Sequence, residues 1–231
     1  PDPALGLQGV HVDLDQVAGR AARQTAEPQH LQIRDELARG HAEQLGGVPH
    51  VGVRMLLQVR DEREQAHGLV MALIDSDFRN LAGPPSLESC TRDVYPTGAS
   101  FDLDAAIRIA SGIASAAEHL HAQGITHGDL YGHNILHGAD GQALLGDFGA
   151  ASFVPADDPL VAKALQRIEV RAFACLLEEL LAFSALEPDS TVDRKKVEKL
   201  KSLQAACAQE NVSSRPLFAE IVSDLGPLRL P

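Results

Sequence analysis

The sequence predicts an α+β fold in which short strands come first and long helices follow. Val51–Val59 and Leu69–Ile74 are apolar runs of strand length joined by a charged turn. Further along, apolar residues recur at helical spacing from Ile107 to Leu120. We therefore divide the chain into a β-rich part, residues 1–74, and a mainly helical part, residues 75–231.

Amino-acid composition and net charge argue against several classes of protein. The chain has 231 residues, a net charge of -12 and a pI near 5.2, which argues against a nucleic-acid or anionic-membrane surface. No apolar run approaches the roughly 20 residues that span a bilayer. The three cysteines lack metal-ligand spacing and predict a reducing, cytoplasmic setting. Because the chain begins with Pro, we expect a piece of a longer protein.

The segment LHAQGITHGDLYGHNILHGADGQALLGDFGAAS carries the chemistry. Asp129 and Asn134 fit the spacing His-x-Asp-x4-Asn, and Asp147 opens an Asp-Phe-Gly triplet. Phosphoryl transfer needs a carboxylate that orients a hydroxyl, and an Asn and a second carboxylate that hold magnesium against phosphate oxygens. A single Asp is as often a turn or cap residue, but the matched set favours catalysis. We predict that Asp129 orients the hydroxyl, that Asn134 and Asp147 bind the metal, and that His127 is a structural anchor.

The elements around this segment follow from caps and periodicity. Asp102 or Asp104 caps a helix that starts near Phe101 and stops at Gly124. The turn HGADGQ predicts a hairpin whose second strand leads into Asp147. Residues 75–100 are rich in Pro, Gly and Ser and predict a long loop. Further helices are expected from about Val161, over RKKVEKLKSLQAAC after a loop at Asp189–Arg194, and over SSRPLFAEIVSDL.

These motifs, with the stretch NLAGPPSLESCTRDVYP, resemble a eukaryotic-like (Hanks-type) protein kinase domain. The sequence of these stretches is most similar to bacterial protein kinases carried on leucine-rich-repeat proteins, and the similarity runs from Gly68 to Leu225. It implies a bilobal fold with a small N-terminal β-rich lobe, here divergent, and a helical C-terminal lobe. It also implies ATP and Mg2+ as cofactors, a protein Ser or Thr hydroxyl as acceptor, and leucine-rich repeats in the full-length protein.

The resemblance also suggests where adenine would bind. The run GLVMALI is similar to a kinase hinge at about residues 72–74, with Met71 guarding the back pocket and Ala72 and Leu73 lining the hinge. Leu136 would form the apolar floor under the base. An ordinary buried strand explains the same run as well.

The first 67 residues depart from the family pattern. Ala4–Val12 contains two glycines but not the spacing of a phosphate-covering loop, and a surface loop explains it equally. Leu31–Leu45 predicts an amphipathic helix whose Glu36 or Glu43 could pair the ATP-binding lysine of a kinase. No Lys precedes Lys163, so that partner is missing. We therefore expect weak phosphoryl transfer at best.

Other departures lie downstream. Gly128 replaces the Arg that would receive a loop phosphate, so no phosphorylation switch is expected. Tyr131 replaces a frequent Lys and removes a phosphate contact. Glu169, only 22 positions after Asp147, stands in for the Asp that opens the buried helix of the family. Arg215 lacks its usual Glu partner.

Two other functions remain open. A small-molecule phosphotransferase of the aminoglycoside or choline kinase type would share His-Gly-Asp-Leu and the short segment after Asp147. Against it stand Phe148-Gly149, the LLEELL helix and Arg215-Pro216. A pseudokinase binding module would explain the missing lysine, but not the intact set Asp129, Asn134 and Asp147.

Overall fold

The structure is a computed structural model that describes residues 55–61, 66–71, 74–88, 92–186 and 190–228, with backbone only for the first two ranges. The helices are α1 Leu103–Ala122, α2 Pro159–Ala182, α3 Thr191–Cys207 and α4 Phe218–Leu225. The strands are β1 Met55–Asp61, β2 Ala66–Met71, β3 Arg79–Asn80, β4 Phe101–Asp102, β5 Ile125–Thr126, β6 Ile135–His137, β7 Ala143–Leu145, β8 Ser152–Phe153 and β9 Ser184–Ala185. Helices and strands thus mix in one chain, as the α+β prediction requires.

The predicted pair of early strands is an antiparallel hairpin. β1 pairs with β2 in a register that runs from Met55 opposite Met71 to Asp61 opposite Ala66. Both strands extend further into the charged turn than hydropathy indicated, because backbone hydrogen bonds define a strand irrespective of its side chains. The remaining predictions for residues 1–54, including the helix Leu31–Leu45 and its Glu36 and Glu43, lie outside the described residues.

Helix α1 forms the centre of the helical part. Asp102 is its N-cap, since one carboxylate oxygen accepts from the amides of Asp104 and Ala105 at 2.9 and 3.1 Å. Of the two predicted caps, Asp102 and Asp104, the structure therefore selects Asp102. The helix starts at Leu103 and not near Phe101, because Phe101 and Asp102 pair with β9. The helix ends where Gly124 takes a φ of +72°, as predicted. Its buried side chains include Ile107, Ile109, Ile113, Ala114 and Ala117.

Helices α2 and α4 pack on α1, and α3 packs on α2. Phe173 of α2 and Phe218 of α4 meet edge to face at 5.3 Å in the core. Two predicted boundaries were wrong by several residues: α3 already begins at Thr191, capped by Ser190, and α4 spans only Phe218–Leu225. Helix α3 begins earlier than predicted because the Ser190 hydroxyl caps it. Helix α4 begins later than predicted because Pro216 and the short turn Val212–Ser214 precede it. Helix α2 starts at Pro159, two residues before the predicted position.

Arg215 has partners that the sequence did not reveal. Its side chain donates to the carbonyl oxygens of Gln209 and Arg167 at 2.7 and 3.0 Å. Arg167 in turn donates to the carbonyl of Arg215 at 2.8 Å. The two arginines thereby tie α2 to the connection before α4.

A small sheet carries the predicted hairpin. β6 pairs antiparallel with β7 on one side and with β3 on the other. Gly141 in the turn has a φ of +83°, and a Cβ there would lie 2.6 Å from the carbonyl oxygen of Ala105, so only glycine fits. The turn is thus pressed against α1, and the other ends of β6 and β7 lead to Asn134 and Gly146. None of the helices in the described ranges is long and apolar enough to cross a membrane.

Candidate active site

Asp129 is held in one position by Asn134. The Asn134 side-chain amide Nδ2 donates to both the backbone oxygen and the carboxylate Oδ2 of Asp129, each at 2.9 Å. The Asp129 carboxylate is half-buried, so it keeps a face toward solvent. Because Nδ2 is committed to Asp129, the amide oxygen of Asn134 is the atom left for a cation.

His127 is the anchor that the sequence predicted. Its side chain is fully buried, and its ring packs against Phe148 with the ring centres 4.9 Å apart. Nε2 lies 2.8 Å from the carbonyl oxygen of Gly146, and Nδ1 lies 3.3 Å from the amide nitrogen of Asp129. Since a carbonyl only accepts, Nε2 carries the proton and Nδ1 accepts from the amide. The ring therefore joins the loop of Asp129 to the residue before Asp147.

A backbone bond brings Asn134 and Asp147 to adjacent positions. The amide of Gly146 donates to the carbonyl oxygen of Asn134 at 2.8 Å where β6 and β7 open. Asp147 has a left-handed backbone, with φ 50° and ψ 74°, a conformation that costs energy in non-glycine residues but that Asp tolerates. Its carboxylate is exposed, and one oxygen accepts from the amide of Gly149 at 3.1 Å. The structure therefore assembles Asp129, Asn134 and Asp147 around one loop and one hairpin.

Glu169 connects this loop to α2. Its Oε1 accepts from the amide of Gly128 at 2.7 Å, and its Oε2 lies 2.7 Å from Nε2 of His121 on α1. Burial alone would raise the pKa of Glu169, but the hydrogen bonds from His121 and from the amides of Gly128 and His127 outweigh burial and hold it below its ordinary value. Glu169 is thus a charged anchor, but it lies ten positions after the start of α2 and does not open a helix as the resemblance implied.

Gly128 is required by the packing of the segment after Asp147. Its φ is +80°, and a Cβ there would overlap the carbonyl oxygen of Ala150. Any side chain at this position would need the backbone to move. The segment Phe148–Ala150 therefore packs directly on the loop of Asp129.

Asp93 and His133 also belong to the site, although no signal in the sequence pointed to either. The Asp93 side chain is 1% exposed, and it accepts from the amide of Gly132 at 2.5 Å and from Nδ1 of His133 at 2.6 Å. Nε2 of His133 lies 4.0 Å from Oδ2 of Asp129. The Tyr131 ring stacks on the His133 ring with the centres 5.9 Å apart.

The residues that flank Asp93 are bound to α2. Arg92 donates to Oε1 of Glu179 at 3.0 and 3.1 Å, and the Tyr95 hydroxyl donates to Oε2 at 3.1 Å. Burial raises the pKa of Glu179, although the hydrogen bonds from Arg92 and Tyr95 oppose this shift. The end of the long loop is thus fixed on both sides of Asp93, and Arg92 gains a partner that its sequence context did not suggest.

The predicted adenine residues are described unevenly. Leu136 lies in the middle strand of the small sheet and is half-buried. Met71 ends β2, where only the backbone is described, and Ala72 and Leu73 fall outside the described residues. Their contact with adenine stays a prediction.

The donor set suits a hard cation. Asn134 and Asp147 offer an amide oxygen and a carboxylate, the ligands that magnesium takes together with phosphate oxygens. In the described ranges, no cluster of three or more His, Cys, Asp or Glu side chains could hold a metal ion without other ligands.

Comparison with protein families supports a kinase. The family model of the protein kinase domain matches residues 76–169, which are 94 of the 231 residues of the chain. The matched segment contains Asp129, Asn134 and Asp147, and it ends at Glu169. No curated protein matched the chain.

Proposed function

We propose that the chain is an ATP- and magnesium-dependent kinase that transfers a phosphoryl group to Ser or Thr hydroxyls of a protein. One observation carries the proposal: Asn134 binds Asp129 through its side chain and Gly146, the neighbour of Asp147, through its backbone. These two bonds support the proposal because they bring the backbone of Asp147 next to Asn134 and Asp129. The match to the protein kinase domain supports the same reaction class.

Each residue has a distinct task in this proposal. Magnesium–ATP would supply the phosphoryl group and a cation that neutralises charge on the phosphates. Asn134 Oδ1 and the Asp147 carboxylate hold the cation. Asp129, fixed by Asn134, accepts a hydrogen bond from the acceptor hydroxyl and aligns it for attack. Preorganisation is the main contribution of the chain, because Asn134 orients Asp129 before any substrate arrives.

The proposal includes a bilobal arrangement, with the nucleotide between the β1–β2 hairpin and the small sheet. Met71, Ala72, Leu73 and Leu136 would line the adenine site. We propose that transfer is slow, because no Lys precedes Lys163 and one charge that stabilises the phosphates is therefore lacking.

A small-molecule phosphotransferase is the second candidate, and one observation favours it. α2 begins at Pro159, so only 11 residues, 148–158, separate Asp147 from the helix that carries Glu169. Such a short segment offers little surface on which a protein substrate could bind.

The first experiment is a thermal shift with ATP, with and without magnesium. We expect a magnesium-dependent rise in Tm that disappears in Asp147→Asn. Asp129→Asn should keep the magnesium-dependent rise in Tm but lose phosphoryl transfer. Asp157 is an exposed carboxylate outside the site, so Asp157→Asn should behave as wild type in both measurements. Absence of any rise at millimolar ATP would overturn the proposal and favour a binding module.

The acceptor class is tested separately. Transfer of labelled γ-phosphate to dephosphorylated casein, but not to aminoglycosides or choline, would support a protein kinase. The reverse result would support the second candidate.

A further inference from the structure

We propose that the first half of α2 is an interface through which two copies of this chain associate as a symmetric, antiparallel dimer. The interface is formed by five apolar residues of the helix, which we call the α2 stripe: Leu160, Val161, Ala164, Leu165 and Ile168. The inference does not depend on the proposed function, because none of these residues belongs to the candidate active site.

The α2 stripe concentrates exposed apolar surface in one place. In the part of the chain that the structure describes, eleven large apolar side chains are exposed, and four of them lie within residues 160–168. Leu160 is 82% exposed and Ile168 is 57% exposed. Side chains on the core side of α2, such as Phe173, are fully buried by contrast. A contiguous apolar patch of this kind is typical of a surface that binds another molecule, whereas single exposed apolar residues are not.

The spacing of the stripe is that of two paired helices. Val161, Ala164 and Ile168 are separated by three and then four residues, which places them on one face of α2 in the a and d pattern of coiled coils. Leu165 widens this face next to Ala164. Because Ala164 has the smallest side chain of the stripe, a second helix can approach α2 closely at this point.

A two-fold axis between Ala164 and Leu165 makes the stripe complementary to itself. In an antiparallel pair of helices about this axis, Ala164 of one copy faces Leu165 of the other. Val161 of one copy then faces Ile168 of the other. Each contact occurs twice, as a symmetric interface requires, and each apolar side chain meets an apolar side chain.

Charged residues at the two ends of the stripe complete the match. The same axis places Asp158 of one copy opposite Arg171 of the other. Arg171 is exposed and has no hydrogen bond or ion pair with the residues that the structure describes. Asp158 caps α2 through Oδ1, which accepts from the amides of Leu160 and Val161 at 3.1 Å, so Oδ2 stays available for Arg171.

This charge pattern identifies the partner as a second copy and fixes its direction. A parallel pair in register would bring Asp158 against Asp158 and Arg171 against Arg171, and such like-charge contacts are costly. In the antiparallel pair the flanking Lys163 lies opposite Gln166, so no like charges meet there. A different protein would need an apolar stripe with opposite charges at this same spacing, which the chain itself already provides.

The length of the stripe determines the strength of the dimer. From Asp158 to Arg171 the helix rises by about 20 Å. A pair of helices of this length buries an area at the low end of specific interfaces, below about 1,200 Å² in total. We therefore expect a reversible dimer with a micromolar dissociation constant.

Sedimentation velocity of the whole chain across the micromolar range tests the dimer. The mass of wild type should rise with concentration from 24.6 kDa towards twice that value. Ile168→Glu places a carboxylate against Val161 and should raise Kd by about 10- to 100-fold, because each dimer loses two buried isoleucines. Val192→Glu on α3 is the matched control, since Val192 is 59% exposed and lies outside the stripe, and its Kd should equal that of wild type. The Tm of each variant monitors folding.

A double-mutant cycle tests the charge pair. Arg171→Glu should raise Kd by about 5- to 30-fold, because it replaces two attractive pairs with two repulsive ones. Asp158→Asn removes the charge but keeps the cap, since Asn caps helices as well as Asp does. In the Asp158→Asn background the effect of Arg171→Glu should therefore be clearly smaller. Equal effects in both backgrounds would overturn the antiparallel pairing.

Oxidation with diamide tests the position of the axis. Ala164→Cys should form a disulfide between two copies, because the axis brings position 164 close to its own counterpart. Lys163→Cys, one residue away but off the seam, and wild type should form none. A wild type that stays monomeric at every concentration, or a dimer that Ile168→Glu does not weaken, would overturn the inference and leave the proposed function standing.

Discussion

Glu169 accepts a hydrogen bond from the amide of Gly128 at 2.7 Å and thereby connects α2 to the loop that carries Asp129. The same carboxylate is bound by His121 from α1. A single buried charge therefore holds two helices and the loop together. Its removal should affect stability and pH dependence more than any exposed carboxylate would.

Glu169→Gln should lower the free energy of unfolding at pH 7 by about 1.5 to 3 kcal/mol, because it removes hydrogen bonds made to a buried, charged carboxylate. The pKa of Glu169 is held below its ordinary value of 4.5, so its charge stabilises the fold above that pH. This stabilisation is lost as the pH falls from 4.5 through the lower folded-state value. Wild type should therefore lose stability faster than the variant in this range. Urea unfolding between pH 7 and pH 3 measures both effects, with the exposed Glu198→Gln as control. Parallel pH profiles would contradict the assignment.

Gly128→Ala tests the close packing of the segment after Asp147. We expect a loss of at least about 2 kcal/mol, since a positive φ costs about 1 to 2 kcal/mol for alanine and the Cβ also meets Ala150. Gly98→Ala is a matched control, because Gly98 has a φ of +79° and no atom lies within 4 Å of the place that a Cβ would take. That variant should lose only the backbone cost. Equal losses in urea unfolding would show that the contact with Ala150 has no energetic weight.

Asn134→Asp should separate metal binding from the alignment of Asp129. The variant keeps an oxygen for the cation but loses the Nδ2 donor, and its charge repels the Asp129 carboxylate. We expect the magnesium–ATP shift in Tm to remain while transfer to casein falls by about 100-fold, the size of effect expected from a displacement near 1 Å. Loss of the shift together with transfer would mean that the amide serves the metal alone.

Tyr95→Phe tests the support of the Asp93 loop. It removes one hydrogen bond to Glu179 but keeps the ring contact with Phe183, whose centre lies 4.3 Å away. We expect a loss of about 1 kcal/mol in the free energy of unfolding. Tyr131→Phe, at an exposed ring, should change stability by less than about 0.5 kcal/mol. A negligible effect of Tyr95→Phe would show that Arg92 alone binds Glu179.

Local rules were enough to predict much of the fold. Hydrophobic periodicity predicted α1 and the body of α2, and Gly124 predicted the end of α1. The turn residues HGADGQ predicted the hairpin that leads to Asp147. The phosphoryl-transfer motif lies within 19 positions, from Asp129 to Asp147, and its spacing is itself the signal. Errors occurred at boundaries, such as Phe101 and Thr191, where pairing with a distant strand or a cap hydroxyl decided the outcome.

The sequence by itself determined which residues can carry the chemistry, because a motif records side-chain types at short range. Only the tertiary structure decided what holds them: Asp93 lies 40 positions from His133, and His121 lies 48 positions from Glu169. No spacing rule joins such pairs, since their contact depends on how α1, α2 and the long loop pack. The physical reason is that helix and turn signals are local, whereas a buried polar group finds its partner wherever the packed chain places one.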